Sequence, residues 1–251
     1  MTAFQPDDDR LYQDPALARF YDLENGWAAD FDTCLGLAEE AASVLDLGCG
    51  TGELAARLAD GRAVVGIDPA APMLAVARQR PGGDRVEWLE ADARGLDLGR
   101  RFDLIVLTGH AFQVFLTADD QRAVLATIAR HLAPEGRFIF DSRNPAAGAW
   151  RGWTPERSRR SLAHPQLGAV EAWNDVAQDA ATGIVTYRTH YRVAASGQTF
   201  SAASKLRFTD KVTLTALLTE AGLHVERWLG DWQGGPSTDD SPELIPIGRR
   251  L

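Results

Sequence analysis

The stretch that decides the fold of this chain is Val44-Leu45-Asp46-Leu47-Gly48-Cys49-Gly50-Thr51-Gly52. Its first residues are mostly apolar, as in a buried strand, and its last five include three glycines, which is typical of a tight turn that opens a helix. Glycine is needed where the backbone takes a positive φ or approaches a ligand closely, and a helix that begins there directs unpaired N–H groups towards that ligand. The stretch therefore predicts a site for a nucleotide-like ligand.

A second strand of the same kind follows and strengthens this prediction. The run Val64-Val65-Gly66-Ile67-Asp68 is apolar and again ends in a carboxylate. Asp68 follows Asp46 by about 20 residues, the offset at which an acidic residue meets ribose hydroxyls in dinucleotide-binding folds.

Composition narrows the class of protein. The chain has 251 residues, of which 45% are hydrophobic, and a net charge of −9. An acidic protein is not held on nucleic acid or on an anionic membrane by its overall charge. No apolar run approaches the ~20 residues of a membrane span, and the acidic start Pro6-Asp7-Asp8-Asp9 is unlike a signal peptide. We expect a cytoplasmic protein with a small-molecule substrate and no nucleic-acid or membrane partner.

The two cysteines point to the same compartment. Cys34 and Cys49 form no C-x-x-C pair, and Cys49 lies in the glycine turn. They therefore indicate neither a disulfide framework nor a zinc site, and a reducing cytoplasm suits them. We expect no metal.

Four segments follow one another along the chain. Residues 1–42 hold two helical stretches, one opened by Asp14-Pro15 and one over about 28–40, and form a helical cover. Residues 43–143 alternate between strand and helix, which predicts a parallel sheet with helices on both faces. Residues 144–208 hold three strand-like runs, near 168–176, 183–193 and 198–207, and predict an antiparallel insertion. Residues 209–251 add a helix that begins at Thr209-Asp210 and two closing strands.

The predicted elements of the alternating part are strands at 43–47, 63–67, 85–89, 102–107 and 136–141, and helices at 52–60, 70–80 and 118–132. Ligands of such sheets bind beyond the carboxyl ends of the strands.

The glycine spacing distinguishes two classes of cofactor. A dinucleotide site typically has the motif G-x-G-x-x-G, but here the third glycine, Gly52, comes too early in the sequence. Asp46 would repel a pyrophosphate, whereas it would attract a cationic ligand. The turn therefore favours a sulfonium amino acid over NAD(P).

Five motifs in order resemble the class I S-adenosylmethionine-dependent methyltransferases, over about Val44 to Arg137. They are residues 44–52, Gly66-Ile67-Asp68-Pro69 with Met73, Glu90-Ala91-Asp92-Ala93, residues 102–106, and Leu132–Arg137, where Glu135 replaces a commoner glycine. The tail over 239–250 resembles small-molecule members. The resemblance implies an α/β, Rossmann-like, seven-strand mixed sheet in the order 3-2-1-4-5-7-6, with helices on both faces and the antiparallel insertion added. It also implies S-adenosylmethionine as cofactor and S-adenosylhomocysteine as product.

The same resemblance implies a set of cofactor-binding residues. Asp68 would accept both ribose hydroxyls, Asp92 the adenine amino group, and the Ala93 amide a ring nitrogen. The full set is Tyr21, Asp46, Gly48, Gly50, Gly52, Asp68, Pro69, Met73, Asp92, Ala93 and Thr108. Purely structural roles stay open for several of them, namely a strand-end cap for Asp46, a helix cap for Asp68, a turn for Asp92, and core packing for Met73 and Tyr21.

Catalysis of methyl transfer requires mainly that two partners be aligned, and a general base is needed only when the acceptor arrives protonated. His110, in the loop after the fourth strand, is the candidate catalytic residue, and a loop histidine bonded to backbone is its alternative. Asp141 or Arg143 could contact substrate or hold a turn. The loop lacks the N/D-P-P-Y/F run of methyltransferases that act on adenine or glutamine amides.

Arginine and tryptophan are concentrated in residues 150–165, at the start of the insertion. They could meet an acidic substrate, or form a solvated loop. We predict that the insertion governs substrate choice or pairs two copies into a homodimer. The acceptor atom stays open between O, N and C. Alternatives are an NAD(P)-dependent oxidoreductase, a non-catalytic S-adenosylmethionine-binding protein, and a methyltransferase for RNA or protein.

Overall fold

The computed structural model of the chain describes residues 10–251. The start Pro6-Asp7-Asp8-Asp9, together with the first nine residues of the predicted helical cover, lies outside the described residues. The helices are α1 (Arg10–Gln13), α2 (Pro15–Ala18), α3 (Tyr21–Glu24), α4 (Ala29–Leu37), α5 (Glu53–Leu58), α6 (Ala71–Ala77), α7 (Ala118–His131), α8 (Pro155–Ser158) and α9 (Lys211–Glu220).

The strands are β1 (Ser43–Leu47), β2 (Ala63–Asp68), β3 (Val86–Glu90), β4 (Phe102–Leu107), β5 (Leu132–Phe140), β6 (Ser142–Arg143), β7 (Arg160–His164), β8 (Gly168–Gln178), β9 (Val185–Val193), β10 (Thr199–Leu206), β11 (Leu223–Leu229) and β12 (Glu243–Arg250).

The central sheet has the order β3-β2-β1-β4-β5-β12-β11, and the short β6 pairs with β12. Strands β1 to β5 pair in parallel, whereas β12 runs antiparallel to both β5 and β11. Counting β11 and β12 as the sixth and seventh strands confirms the predicted order 3-2-1-4-5-7-6. The parallel strands are buried on both faces, which explains their almost continuous apolar sequence.

Helices cover both faces of this sheet, as predicted. On one face, α7 and α9 contribute Leu125, Ile128 and Leu214 to a core with strand residues such as Phe138. On the other face, α4 and α5 pack residues such as Leu54 against β1 and β4. Several helices are shorter than predicted, since 52–60 becomes Glu53–Leu58 and 70–80 becomes Ala71–Ala77, and the fifth strand begins earlier, at Leu132.

The insertion is a separate antiparallel sheet in the order β10-β9-β8-β7. Three of its strands were predicted, but β7 was missed, because Arg160–His164 lies at the sheet edge and contains little apolar sequence. One face of this sheet packs against the N-terminal helices, where Phe20 stacks on Tyr191 with ring centroids 4.4 Å apart.

The N-terminal cover contains four short helices between residues 10 and 37, where the sequence predicted two helical stretches. The predicted cap is confirmed, since Asp14 Oδ1 accepts a hydrogen bond from the Ala16 N–H at 2.9 Å. None of the helices in the described part of the chain combines the length and apolarity needed to cross a membrane.

Candidate functional site

A cavity of about 600 Å³ opens at the carboxyl ends of β1, β2 and β4. The glycine turn after β1 forms one wall, the N-terminal cover forms a second, and the inner face of the insertion sheet forms a third. The three segments predicted from the sequence as cover, core and insertion therefore meet at one site. Most of the predicted cofactor-binding residues line it: Tyr21, Asp46, Gly48, Gly50, Asp68, Pro69, Met73, Asp92, Ala93 and Thr108.

The glycine turn has the backbone geometry that its sequence requires. Gly48, Gly50 and Gly52 all have positive φ, at 69°, 55° and 76°. Asp68 holds this turn, because its carboxylate accepts hydrogen bonds from the N–H groups of Gly50 at 2.9 Å and Ala70 at 2.8 Å. The helix-cap role considered for Asp68 is not what the structure shows, because Ala70 is the N-cap residue of α6 and Asp68 instead accepts the Ala70 N–H in the turn before that helix.

Gly52 is the one predicted cofactor-binding residue that lies outside the cavity lining. A Cβ atom there would come within 2.4 Å of the Trp88 ring and 2.7 Å of Ala77. Glycine at this position is explained by packing against β3 and α6 together with its positive φ.

Two buried carboxyl groups give the cofactor end of the cavity an acidic character. Burial, followed by the negative charge of Asp68, raises the pKa of Asp46 to about 7. Burial also raises the pKa of Asp68, while its bonds from backbone N–H groups lower it. An ionised carboxylate in such a place is stabilised by a positively charged ligand.

Asp92, Ala93 and Met73 line another part of the cavity. Asp92 accepts the Arg94 backbone N–H at 2.8 Å, and its carboxylate also binds the Arg94 guanidinium. Burial raises the pKa of Asp92, but these hydrogen bonds outweigh it and leave the pKa below its usual value. Asp92 therefore holds a turn, as its alternative role required. Arg94, which was not predicted from the sequence, binds its carboxylate and also lines the cavity.

His110 occupies an unusual backbone conformation beside the cavity. Its φ of 62° lies in the left-handed region that non-glycine residues rarely adopt. The Asp141 carboxylate holds this conformation by accepting the His110 N–H at 2.9 Å, and the ring Nε2 lies 3.0 Å from Glu243 Oε1. Donor atoms of these three residues lie within 4.8 Å of one another, close enough to share a cation.

Three further acidic or amide residues line the cavity, and sequence reasoning missed them. Glu24, Asp30 and Asn174 each contain a buried side-chain oxygen without a hydrogen-bond partner among the described residues. They come from α3, α4 and β8, so no local motif connects them. Burial is the main factor that raises the pKa of Asp30, and hydrogen bonds from the backbone lower it. The charge of His110 lowers it less, which places Asp30 within electrostatic range of that ring.

The arginine-rich segment contributes less to the cavity than its sequence suggested. Trp153 lines the cavity, and the Arg143 guanidinium lies over its ring, 5.0 Å from the centroid. Arg157 and Arg159 lie outside the lining, and Arg159 pairs instead with Glu171 on the outer face of the insertion. Arg160 is also outside the lining, but its guanidinium binds Glu24, which is a lining residue.

Three comparisons place this geometry among known proteins. Residues 44–136 match a family model described as a methyltransferase domain. Over 207 residues, the chain is 30% identical to the dTDP-3-amino-3,6-dideoxy-alpha-D-glucopyranose N,N-dimethyltransferase of Streptomyces fradiae, covering 79% of this chain and 74% of that one. Over 214 residues it is 27% identical to the cypemycin N-terminal methyltransferase of a Streptomyces species, covering 84% of each. The fold matches that of the CcbJ methyltransferase of Streptomyces caelestis, with a TM-score of 0.80 and 22% identity over 98% of this chain and all of that one.

Proposed function

The chain belongs to the class I S-adenosylmethionine-dependent methyltransferases, and from this premise we propose that it methylates an amine nitrogen of a small, hydroxyl-bearing molecule. The family match supports the enzyme and its cofactor, and it does not support the nicotinamide-dependent alternative. The cytoplasmic location, the absence of nucleic-acid partners and the pairing of two copies stay predictions.

The cofactor-binding residues fit a cationic amino-acid nucleoside. The buried carboxyl of Asp46, with its raised pKa, suits an ammonium or sulfonium group, since a cation there favours ionisation. We assign Asp68 to the ribose hydroxyls, because a carboxylate that already accepts two N–H bonds still has free lone pairs. Bound S-adenosylmethionine would supply an electrophilic methyl group.

The observation that carries the amine assignment is the acidic lining of the remaining cavity. Asp30 and Glu24 each present a buried oxygen that lacks a partner among the described residues, and Asp141 lies close behind His110. Unpaired buried acceptors cost free energy unless a ligand supplies donors. An ammonium group with neighbouring hydroxyls supplies them, whereas an anionic group facing these residues would be repelled.

His110 then has a definite task. An amine is nucleophilic only after its ammonium form has lost a proton, so a base must lie within reach of the acceptor nitrogen. His110 lines the cavity and is held by Asp141, which gives it a defined position. We therefore assign His110 as the general base.

A turnover screen tests this function. Purified protein and labelled S-adenosylmethionine would be offered a matched set of amino sugars, their sugar nucleotides and short peptides with free N-termini, beside analogues in which hydroxyl replaces the amine. We expect methylation of at least one amine and none of its hydroxyl analogue. Transfer to the hydroxyl analogue at an equal rate would contradict the amine assignment.

A variant completes the test. His110→Gln should reduce kcat by at least about 100-fold, since a positioned general base typically contributes 10²–10⁴-fold. Its affinity for S-adenosylhomocysteine should stay near that of the parent protein. An unchanged kcat would remove His110 from the reaction.

A further inference from the structure

We propose that Glu243 is a positioning residue that keeps His110 in the Nε2–H tautomer, so that Nδ1 is the atom that takes the proton. This inference rests on the role of His110 as base. It specifies which ring nitrogen reacts and which side chain, more than 130 residues away in sequence, makes that choice.

The backbone and the ring of His110 are held by different carboxylates. Asp141 Oδ1 accepts the backbone N–H at 2.9 Å, and Asp141 Oδ2 lies 3.4 Å from the ring Nε2. Glu243 Oε1 lies nearer to Nε2, at 3.0 Å. Asp141 therefore holds the loop, and Glu243 is the better-placed partner of the ring.

An ionised carboxylate can only accept a hydrogen bond, so the nitrogen that faces Glu243 must donate. In a neutral imidazole only one nitrogen carries the hydrogen, and the other accepts. With the hydrogen on Nε2, the lone pair is on Nδ1, which has no hydrogen-bond partner among the described residues. Nδ1 is thus the nitrogen left for a ligand.

Proton transfer balances in this arrangement. The N–H bond of the acceptor ammonium breaks, its electron pair remains on the amine nitrogen, and the proton forms a bond to Nδ1. The resulting imidazolium then donates from Nε2 to Glu243, so its positive charge lies against one carboxylate and near a second, Asp141. Hydrogen bonds between charged partners of this kind are about twice as strong as neutral ones.

The place of Glu243 in the fold makes it a rigid partner. It begins β12, where it pairs with Arg143 of β6, and its backbone N–H donates to Gly230. Its second oxygen, Oε2, is buried without a partner among the described residues, so nothing else in that part of the chain draws the carboxylate away.

The chain contains an internal reference of the opposite tautomer. His131 Nδ1 lies 2.8 Å from the Thr127 carbonyl oxygen, which can only accept, and its Nε2 accepts the Leu98 N–H at 3.0 Å. His131 must therefore be the Nδ1–H tautomer when neutral. The two histidines should give mirror-image patterns in one spectrum.

Long-range ¹H–¹⁵N correlation spectra of the full chain with ¹⁵N-labelled histidine, saturated with S-adenosylhomocysteine at pH about 8.5, test the assignment, because histidine is normally neutral there. His110→Gln identifies the His110 signals. We expect a protonated Nε2 and a bare Nδ1 for His110, and the reverse for His131. A protonated Nδ1 in His110 overturns the proposal.

Two variants separate positioning from folding. Glu243→Leu should abolish the tautomer preference of His110 while the His131 signals stay in place, and should lower kcat without raising the KM of the acceptor. Glu243→Gln, whose amide oxygen still accepts, should restore the Nε2–H tautomer. An unchanged tautomer in Glu243→Leu refutes the role of Glu243.

Added Mg²⁺ or Zn²⁺ provides a further arm, because the same donors could share a cation. We expect no change of the His110 signals, and a saturable shift would assign the cluster to metal binding and overturn the proposal. Since the spectra need no acceptor, a failed amine screen with the predicted tautomer would reject the proposed substrate class alone.

Discussion

Asp46 is a residue whose carboxyl group should make both stability and ligand affinity depend on pH. Burial and the charge of Asp68 raise its pKa from 3.8 to about 7. The folded protein without ligand therefore binds this proton more tightly than the unfolded chain does. Its free energy of unfolding should decrease as pH rises from about 4 to 7, because the unfolded carboxyl ionises first.

A bound ammonium group, such as that of S-adenosylhomocysteine, would lower the pKa of Asp46 by favouring its ionised form. We expect the affinity for S-adenosylhomocysteine to increase between pH 6 and 8, by at most about tenfold per unit below pH 7. Calorimetry in two buffers of different ionisation enthalpy would measure the proton released on binding. Asp46→Asn should release fewer protons and bind more weakly, and an equal release from both proteins would contradict the assignment.

At the same scale, the sequence identified residues that line the cavity but not the contacts that these residues make. Asp68 lines the cavity, and its carboxylate also holds the glycine turn through two N–H groups. Asp92 lines the cavity as well, and Arg94 binds its carboxylate. Such hydrogen bonds depend on side-chain conformation, which a motif does not specify.

At the scale of elements, the junction between the glycine turn and α5 depends on packing. Gly52 and Gly61 have nearly equal φ, 76° and 77°, but only Gly52 has neighbours within 4 Å of its missing Cβ. We expect Gly61→Ala to lower the free energy of unfolding by about 1–2 kcal/mol for the left-handed backbone. Gly52→Ala should cost about 1–3 kcal/mol more, because its methyl group overlaps Trp88. Urea denaturation compares the two, and equal losses would exclude the packing explanation.

The ion pair between Arg160 and Glu24 is one contact between the insertion and the residues that line the cavity. Arg160 binds Glu24, whose other oxygen is buried at the cavity, whereas Arg157 is exposed and outside the lining. Arg160→Ala should raise the KM of the acceptor roughly fivefold, as expected for a partly exposed ion pair of ~1 kcal/mol. The KM of S-adenosylmethionine should not change. Arg157→Ala is the matched control. An equal effect of both variants would show that the loss of a positive charge, and not the contact between Arg160 and Glu24, changes the KM.

At the scale of the whole molecule, a polar cluster of Asp22, Thr51 and Arg80 connects the N-terminal cover to the core. Asp22 accepts a hydrogen bond from Thr51 Oγ1 in the glycine turn at 2.5 Å, and it also pairs with the Arg80 guanidinium. Arg80 in turn donates to the Thr51 carbonyl oxygen at 2.7 Å. The cover, the glycine turn and the segment after α6 thus share one set of bonds beside the cavity.

Removing the contacts of Asp22 should let the N-terminal cover open more often without unfolding the core. In Asp22→Ala we expect faster amide hydrogen exchange over residues 10–24 and faster dissociation of S-adenosylhomocysteine, since fewer bonds oppose local opening. Asp119→Ala, which removes an exposed ion pair with Arg122, is the control. Unchanged exchange in Asp22→Ala would show that apolar packing around Phe20 alone holds the cover.

The sequence by itself, through its motifs and their resemblance to a known family, predicted the sheet order and the cofactor, and most of the residues it proposed for cofactor binding line one cavity. Those features depend on local patterns, namely apolar strands that end in glycine or aspartate within residues 43–143. Only the tertiary structure showed which polar residues from distant parts of the chain surround the cavity. Glu24, Asp30 and Asn174 line it from α3, α4 and β8, and Glu243 of β12 lies outside the lining, against the His110 ring. Their meeting depends on how the cover and the insertion pack onto the core, and this long-range packing leaves no periodic signal in the chain.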